Sequence, residues 1–203
     1  GTRLVYNGEP LGAFKNPQDI CKTPDGEVVI ADTGNNRIVF LSKDMKTVIK
    51  VISEFDNNGE ADKFSSPTGV CVSKKNELYI ADTYNNRIVV LDNKGSLIKI
   101  IRDPQSEILE EGYVFSPLKV TVDYADRVYC IAQNMFEGIM VFEDNGQFVG
   151  FIGTIEVKIS LWDKFWKRIA TKEERSNQKL FIPTEFTGID IDDDGFVYAS
   201  NID

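Results

Sequence analysis

Histidine is absent from all 203 residues. That removes the commonest general base, the usual pH switch and the favoured zinc ligand together. Cysteine is scarce, with only Cys21, Cys71 and Cys130. An odd count of three is not a disulfide framework, so three reduced thiols are expected. Positive charge is also in short supply: 23 Lys and Arg face 32 Asp and Glu, a net charge of -9. An acidic surface repels phosphate backbones, so nucleic acid is not expected as a partner. No apolar run reaches membrane-spanning length, so membrane contact is expected only through an anchor outside these residues.

What is present is an ordinary globular composition, 42% apolar, in a length that suits one domain with a sizeable core. The chain repeats itself. "IADTGNNRIVFL" (30–41) returns as "IADTYNNRIVVL" (80–91), and ten of the twelve positions are identical. Aligning on the proline before each apolar run gives units that open at Pro17, Pro67, Pro117 and Pro183. Their spacings are 50, 50 and 66 residues, a period that means stacked units or a propeller. The second unit shows the internal plan. Short apolar runs at 70–72, 78–81, 88–91 and 97–101 are separated by the turn residues 74–76, 84–86 and 93–95. Four strands joined by hairpin links form a meander. The runs are nearly continuous in Val and Ile, which suits sheets buried on both faces.

The expected fold is therefore all-β, a β-propeller of four-stranded antiparallel blades with one helical insert. The repeats fall near 17–66, 67–116, 117–154 and 183–203, and the insert at 155–182. Residues 2–14 resemble 86–100, so the chain is expected to begin with the third and fourth strands of a blade. The two half-blades could pair and close a ring of four. The reading preferred is a segment of a longer propeller, because an unclosed ring exposes sheet edges.

The "IADTxNNRI" core, the "PTGV" opening at Pro67 and the unit length resemble NHL repeats. The resemblance covers nearly the whole chain outside 155–180. The first two units match well and the last two are degenerate. The pattern from "PTEF" to "DIDDDGFVYASN" resembles NHL proteins of Gram-positive bacteria. Such a resemblance implies the propeller fold and, for localisation, the extracellular space or a cell surface. It does not choose a function, since members of the family include RNA-binding modules, peptide-amidating lyases, kinase ectodomains and scaffolds.

Asp32 and Arg37 lie five apart across a turn, as do Asp82 and Arg87. A turn brings such a pair together, and the fork of Arg can bridge a carboxylate or backbone carbonyls. Asn35, Asn36, Asn85 and Asn86 suit the turn because Asn tolerates positive φ. A catalytic motif is needed once; two near-identical copies in adjacent units indicate a structural brace. Cys21 and Cys71 hold equivalent places, four residues after their prolines. Neighbouring blades lie ~10 Å apart, beyond disulfide reach.

In the third unit "AQNMFEGI" (132–139) replaces the brace, placing Met135, Phe136 and Glu137 where the polar turn stood. Exposed Met and Phe would form a contact surface. The segment "SLWDKFWKRIATKEERSNQ" reads as helix, with Ser160 as N-cap. Leu161, Phe165 and Ile169 lie four apart on one face, widened by Trp162 and Trp166. Its apolar face is expected to pack on the propeller; the alternative is a partner or membrane-surface helix. Strand reversal puts this insert and the 132–139 turn on the same side of the disc. The carboxylates of "DIDDDG" (190–195) fall on the opposite side. Asp clusters near Gly suit calcium, but the spacing is not that of an EF-hand and a solvated β-turn is expected. No cofactor is expected, with Ca2+ as the alternative.

The function expected is a non-enzymatic binding or scaffold propeller for a protein, peptide or glycan, contacted through Met135, Phe136, Glu137, Trp162, Trp166 and Glu185. The alternative is a metal-dependent enzyme of the lactonase or lyase type. Such an enzyme needs convergent carboxylates, Asn or His near the axis, and Glu185, near the start of the fourth inner strand, is the one to watch.

Overall fold

The computed structural model describes residues 4–153 and 186–201, except 103, 105, 110, 111, 136 and 193. The chain opens with a short hairpin, β1 (Val5–Tyr6) and β2 (Glu9–Pro10). The first blade follows as β3 (Asp19–Lys22), β4 (Val28–Asp32), β5 (Arg37–Leu41) and β6 (Val48–Ile52). A second hairpin, β7 (Glu54–Asn57) and β8 (Glu60–Lys63), leads to the second blade. That blade comprises β9 (Pro67–Val72), β10 (Leu78–Asp82), β11 (Arg87–Leu91) and β12 (Leu97–Arg102). The third comprises β13 (Pro117–Val122), β14 (Val128–Ala132), β15 (Ile139–Phe142) and β16 (Phe148–Ile152). A further pair, β17 (Phe186–Ile191) and β18 (Val197–Asn201), completes the described residues.

Each blade is an antiparallel meander with its strands paired in chain order. The first strand of each, β3, β9, β13 and β17, lies innermost and adjoins its counterpart in the next blade. This is the β-propeller arrangement of all-β blades. Described helix is confined to two 3-10 turns, Thr33–Asn35 and Thr83–Asn85, each closed by an asparagine in the left-handed region (Asn36, φ 52°; Asn86, φ 54°). The helical insert expected over 155–182 lies outside the described residues.

The near-continuous apolar runs find their reason in the packing. Every residue of β10, β11 and β14 is buried, because each middle strand has a blade on either side. One core layer fills the space between the first two blades, with Val29, Ile38 and Phe40 meeting Ile80 and Val89. A second joins Tyr79, Ile88 and Val90 to Val128, Met140 and Phe142. A third sets Tyr129, Ile131 and Val141 against Ile189 and Val197.

The outer strands hold their neighbours by a repeated device. Lys50 Nζ of β6 donates to Asn93 O in the last turn of the next blade, 2.6 Å away. Lys99 of β12 does the same to the carbonyl of Asp144 and pairs with its carboxylate at 2.6 Å. Beside each lysine an isoleucine rests on the glycine of that turn, Ile52 on Gly95 and Ile101 on Gly146.

The start of the chain differs from expectation. Among the described residues β1 and β2 pair with each other and with no strand of a blade, so residues 5–10 are not joined there as the outer half of one. The turn is Asn7-Gly8, with both φ angles positive (52° and 82°), which closes a two-residue hairpin. Asn58-Gly59 closes the β7–β8 hairpin in the same way (58° and 91°). The opening segment is thus the hairpin that precedes a blade. Leu4, Tyr6, Leu11 and Phe14 cover the free face of the first blade, over Val28, Val39 and Leu41.

Candidate functional site

The twice-written motif is a joint. Asp82 is fully buried, and its carboxylate accepts from Ser65 N (2.7 Å), Asn85 Nδ2 (2.9 Å) and Arg87 Nε (2.7 Å). Arg87 Nη1 and Nη2 grip Asp62 in a bidentate pair at 2.6 and 2.8 Å, and its guanidinium lies 5.3 Å from the centre of the Phe55 ring. Thr83 Oγ1 donates to Pro117 O of the next blade at 2.8 Å. The first copy repeats most of this: Asp32 accepts from Lys15 N, Asn35 and Arg37 Nε, and Thr33 Oγ1 donates to Pro67 O at 2.7 Å. A joint of this kind ties its own turn to the preceding link and to the following blade.

Hydrogen bonds from Arg87 hold the Asp62 carboxyl below its ordinary range. A carboxyl depressed in the folded state stabilises the fold above its unfolded value of about 3.9, and that contribution is lost as pH falls through the folded pKa. Asp62→Asn should therefore cost about 1–2 kcal/mol at neutral pH. Its difference from wild type should shrink as denaturation is followed below pH ~3.9. A difference unchanged at acid pH would mean that the carboxylate charge contributes nothing.

The innermost strands enclose a central channel of about 440 Å³, lined by residues 19–22, 70–74, 120–124 and 189–192. One end is crossed by Lys119. Its ammonium donates to Gln18 O of the first blade and to Thr68 O of the second (3.2 Å), and lies 3.3 Å from Asp19. Gly69 makes this reach feasible. A Cβ there would stand 2.6 Å from Leu118 O and 2.9 Å from Lys119 Cα, so the second and third blades touch backbone to backbone. Asp19 also accepts from Val70 N at 2.9 Å.

Midway along the channel Cys21 and Cys71 hold equivalent positions, and Cys71 Sγ lies 3.8 Å from Thr121 Oγ1. All three cysteines are free thiols. Burial pushes them up, Cys71 to about 11, so they are protonated and poor nucleophiles at neutral pH. A thiol reagent should count three thiols after unfolding and react slowly with the folded protein. A count of one in the unfolded protein would reveal a disulfide.

At the other end the turns between the first and second strands surround the opening. Asp123 accepts from Arg127 Nε (2.8 Å) and from the Tyr129 hydroxyl (3.1 Å). Asp192 accepts from Asp194 N, Phe196 N and the Tyr198 hydroxyl (2.7 Å), which hold its carboxyl below the usual range. The third blade, whose upper turn has no Asp–Arg pair, thus carries an Asp–Arg–Tyr brace at its lower end. Tyr124 is 70% exposed at this opening, and its ring edge lies 3.3 Å from the place a Cβ would take on Gly195.

Of the contact residues named from the sequence, Met135 is half-buried against the core between the second and third blades, and Glu137 is exposed. Phe136, Trp162, Trp166 and Glu185 lie outside the described residues. Among the described residues no three His, Cys, Asp or Glu side chains gather as a metal site, and no helix is long and apolar enough to cross a membrane. Sequence reasoning missed Asp62, Lys119 and Tyr124. Lys119 could have been found by superposing the units, since it replaces Asp19 and Gly69 at the same place.

The NHL-repeat family profile matches residues 14–39 and 64–91. No curated protein matches the sequence. Among solved structures, virginiamycin B lyase from Staphylococcus aureus superposes with a TM-score of 0.55 at 13% identity, over 94% of this chain and 50% of that one. Kuenenia stuttgartiensis hydrazine synthase gives 0.51 at 15% identity, over 74% and 40%. The RRP9 WD40 repeats give 0.51 at 12%, over 68% and 38%. The chain therefore spans half or less of the length of these structures, and at such identities the likeness is one of fold. The matched segments lie on two consecutive blades, each with its own copy of the joint, so the chain carries NHL repeats within a β-propeller fold.

Proposed function

We propose that this propeller is a non-catalytic recognition module, and that its protein, peptide or glycan ligand meets it at the open end of the channel. What supports this reading is the commitment of three of the channel's carboxylates and the burial of its thiols. Asp19 is held by Lys119 and Val70 N, Asp123 by Arg127 and Tyr129, and Asp192 by Tyr198 and its own turn. A general base must have a lone pair to offer, and a nucleophilic thiol must ionise. These groups are spent on holding strands and turns together. Tyr124 is instead exposed beside the opening, an aromatic ring of the kind that stacks on a sugar face or a peptide group.

Peptide display and oligosaccharide arrays, read with the intact chain, provide the test. A retrieved ligand should bind Tyr124→Ala about tenfold more weakly, a change worth ~1.4 kcal/mol, while the melting temperature stays unchanged. Undiminished affinity in that variant would move the site elsewhere. Multiple turnover of a lactone or peptide substrate would replace binding with catalysis.

A further inference from the structure

The two copies of the joint are not chemically equal. Arg87 is saturated: Nε holds Asp82, and Nη1 and Nη2 hold the two oxygens of Asp62. Arg37 holds Asp32 through Nε and Leu11 O through Nη1 (3.0 Å), while its Nη2 is buried with no hydrogen-bond partner among the described residues. The missing partner can be identified. Asn35 and Asn85 donate to Ala13 O and Lys63 O, and Lys15 N and Ser65 N donate to Asp32 and Asp82. These contacts set Ala13 against Lys63 and Lys15 against Ser65, and counting back one residue sets Gly12 against Asp62, although the hairpin turns before them lie 51 residues apart.

At Gly12 there is room. No heavy atom lies within 4 Å of the place a Cβ would occupy, and Gly12 is exposed. The Arg37 side chain is 15% exposed against 3% for Arg87, and the carbonyls on either side of Gly12, Leu11 O and Ala13 O, accept from Arg37 Nη1 and Asn35 Nδ2. The charge balance agrees. Arg87 sits between two carboxylates, and Arg37 beside one. An added carboxylate would give the first copy the balance that the second already has. A buried N–H without an acceptor is destabilising, and an incoming acceptor would recover that cost.

From this the geometry points to a carboxylate-binding site at Arg37 and Gly12, in which an external carboxylate accepts from Arg37 Nη2, the donor that Asp62 takes up on Arg87, while Nη1 stays with Leu11 O. The source is an acidic side chain of a polypeptide or a small free carboxylate; the guanidinium reads the same group in either. The site lies at the link end of the first blade, opposite the Tyr124 opening, and stands independently of the function proposed there.

Arginine side-chain NMR of the intact, 15N-labelled chain tests it, with Arg87 as internal control. The probes are acetate, the peptide Ac-Ala-Glu-Ala-NH2 and its Gln counterpart, each against chloride at matched ionic strength. Acetate or the Glu peptide should shift the Arg37 Nε and Nη signals saturably and leave those of Arg87 in place. Response to the peptide alone assigns a polypeptide source; response to acetate as well assigns free carboxylates too. Gly12→Asp should supply the carboxylate from within, move the Arg37 signals towards those of Arg87, and weaken the response to either probe about tenfold or more. Arg37 signals that stay fixed, that move equally with chloride or the Gln peptide, or that move only as much as those of Arg87 would overturn the assignment. So would an undiminished response in Gly12→Asp. If that variant does not fold, the comparison with Arg87 in the wild-type chain decides alone.

Discussion

Arg87→Ala should lower the stability of the protein by about 3–5 kcal/mol, the usual cost of removing one partner from a buried ion pair. For a chain of this length that corresponds to a fall in melting temperature on the order of 10 °C. The reason lies less in the lost attraction than in what remains. Asp82 is fully buried, and without Arg87 its charge would keep only Ser65 N and Asn85 Nδ2 as donors. Asp62 would lose both of its arginine bonds, and Phe55 the cation over its ring. Arg87→Lys should recover little, because an ammonium cannot serve two carboxylates in one plane. Denaturant unfolding of the three proteins checks this. A loss below about 1 kcal/mol for the alanine variant would mean that Asp82 is held well enough by its amide donors.

Gly69→Ala should be the other large effect, although it adds a single methyl group. The atoms that methyl would meet are backbone, Leu118 O at 2.6 Å and Lys119 Cα at 2.9 Å, and backbone cannot step aside as a flexible side chain can. The second and third blades must part. As they do, Lys119 is carried away from Gln18 O and Thr68 O, and Thr68 Oγ1 from Leu118 O. Overpacking of this kind costs about 1–3 kcal/mol before those bonds are counted. Gly59→Ala provides the contrast. Nothing lies near its Cβ position, so only the strain of a positive φ remains, about 1 kcal/mol. Equal losses in the two variants would show that backbone conformation, and not the approach of the blades, sets the role of Gly69.

The repeat made the architecture readable, because a twelve-residue stretch written twice carries its strands, its turn and its spacing with it. The start of the chain was misread for a physical reason. The resemblance of 2–14 to 86–100 fits the outer pair of a blade as well as a short hairpin, because two short apolar runs around a turn are common to both. Asn7-Gly8 was the usable signal, since two adjacent residues at positive φ fix a hairpin of minimum length. The joint was legible only locally. The five-residue spacing from Asp82 to Arg87 placed that pair across one turn, but Asp62 enters from 25 residues away, where no local pattern marks it. Lys119 reaches Gln18 across 101 residues and Tyr124 lies against a glycine of another strand pair, so both are properties of the assembled ring. Phe136, Trp162, Trp166 and Glu185 lie outside the described residues.

The outer-strand lysines have a consequence for how the molecule comes apart. Lys50 and Lys99 each hold the last turn of the blade that follows, and Ile52 and Ile101 fill the hollow over its glycine. Every such link joins nearest neighbours, and all point the same way along the chain. Along the outer strands the coupling follows a one-dimensional ladder, an intrinsic contribution per rung plus a fixed coupling to the next, while at the inner strands Lys119 ties the third blade to the first. In such a ladder the loss of one coupling is felt first by the two blades it joins. Hydrogen exchange along β4, β10 and β14 would then report which coupling has been cut, with strands of closely similar sequence differing in protection by their neighbours alone.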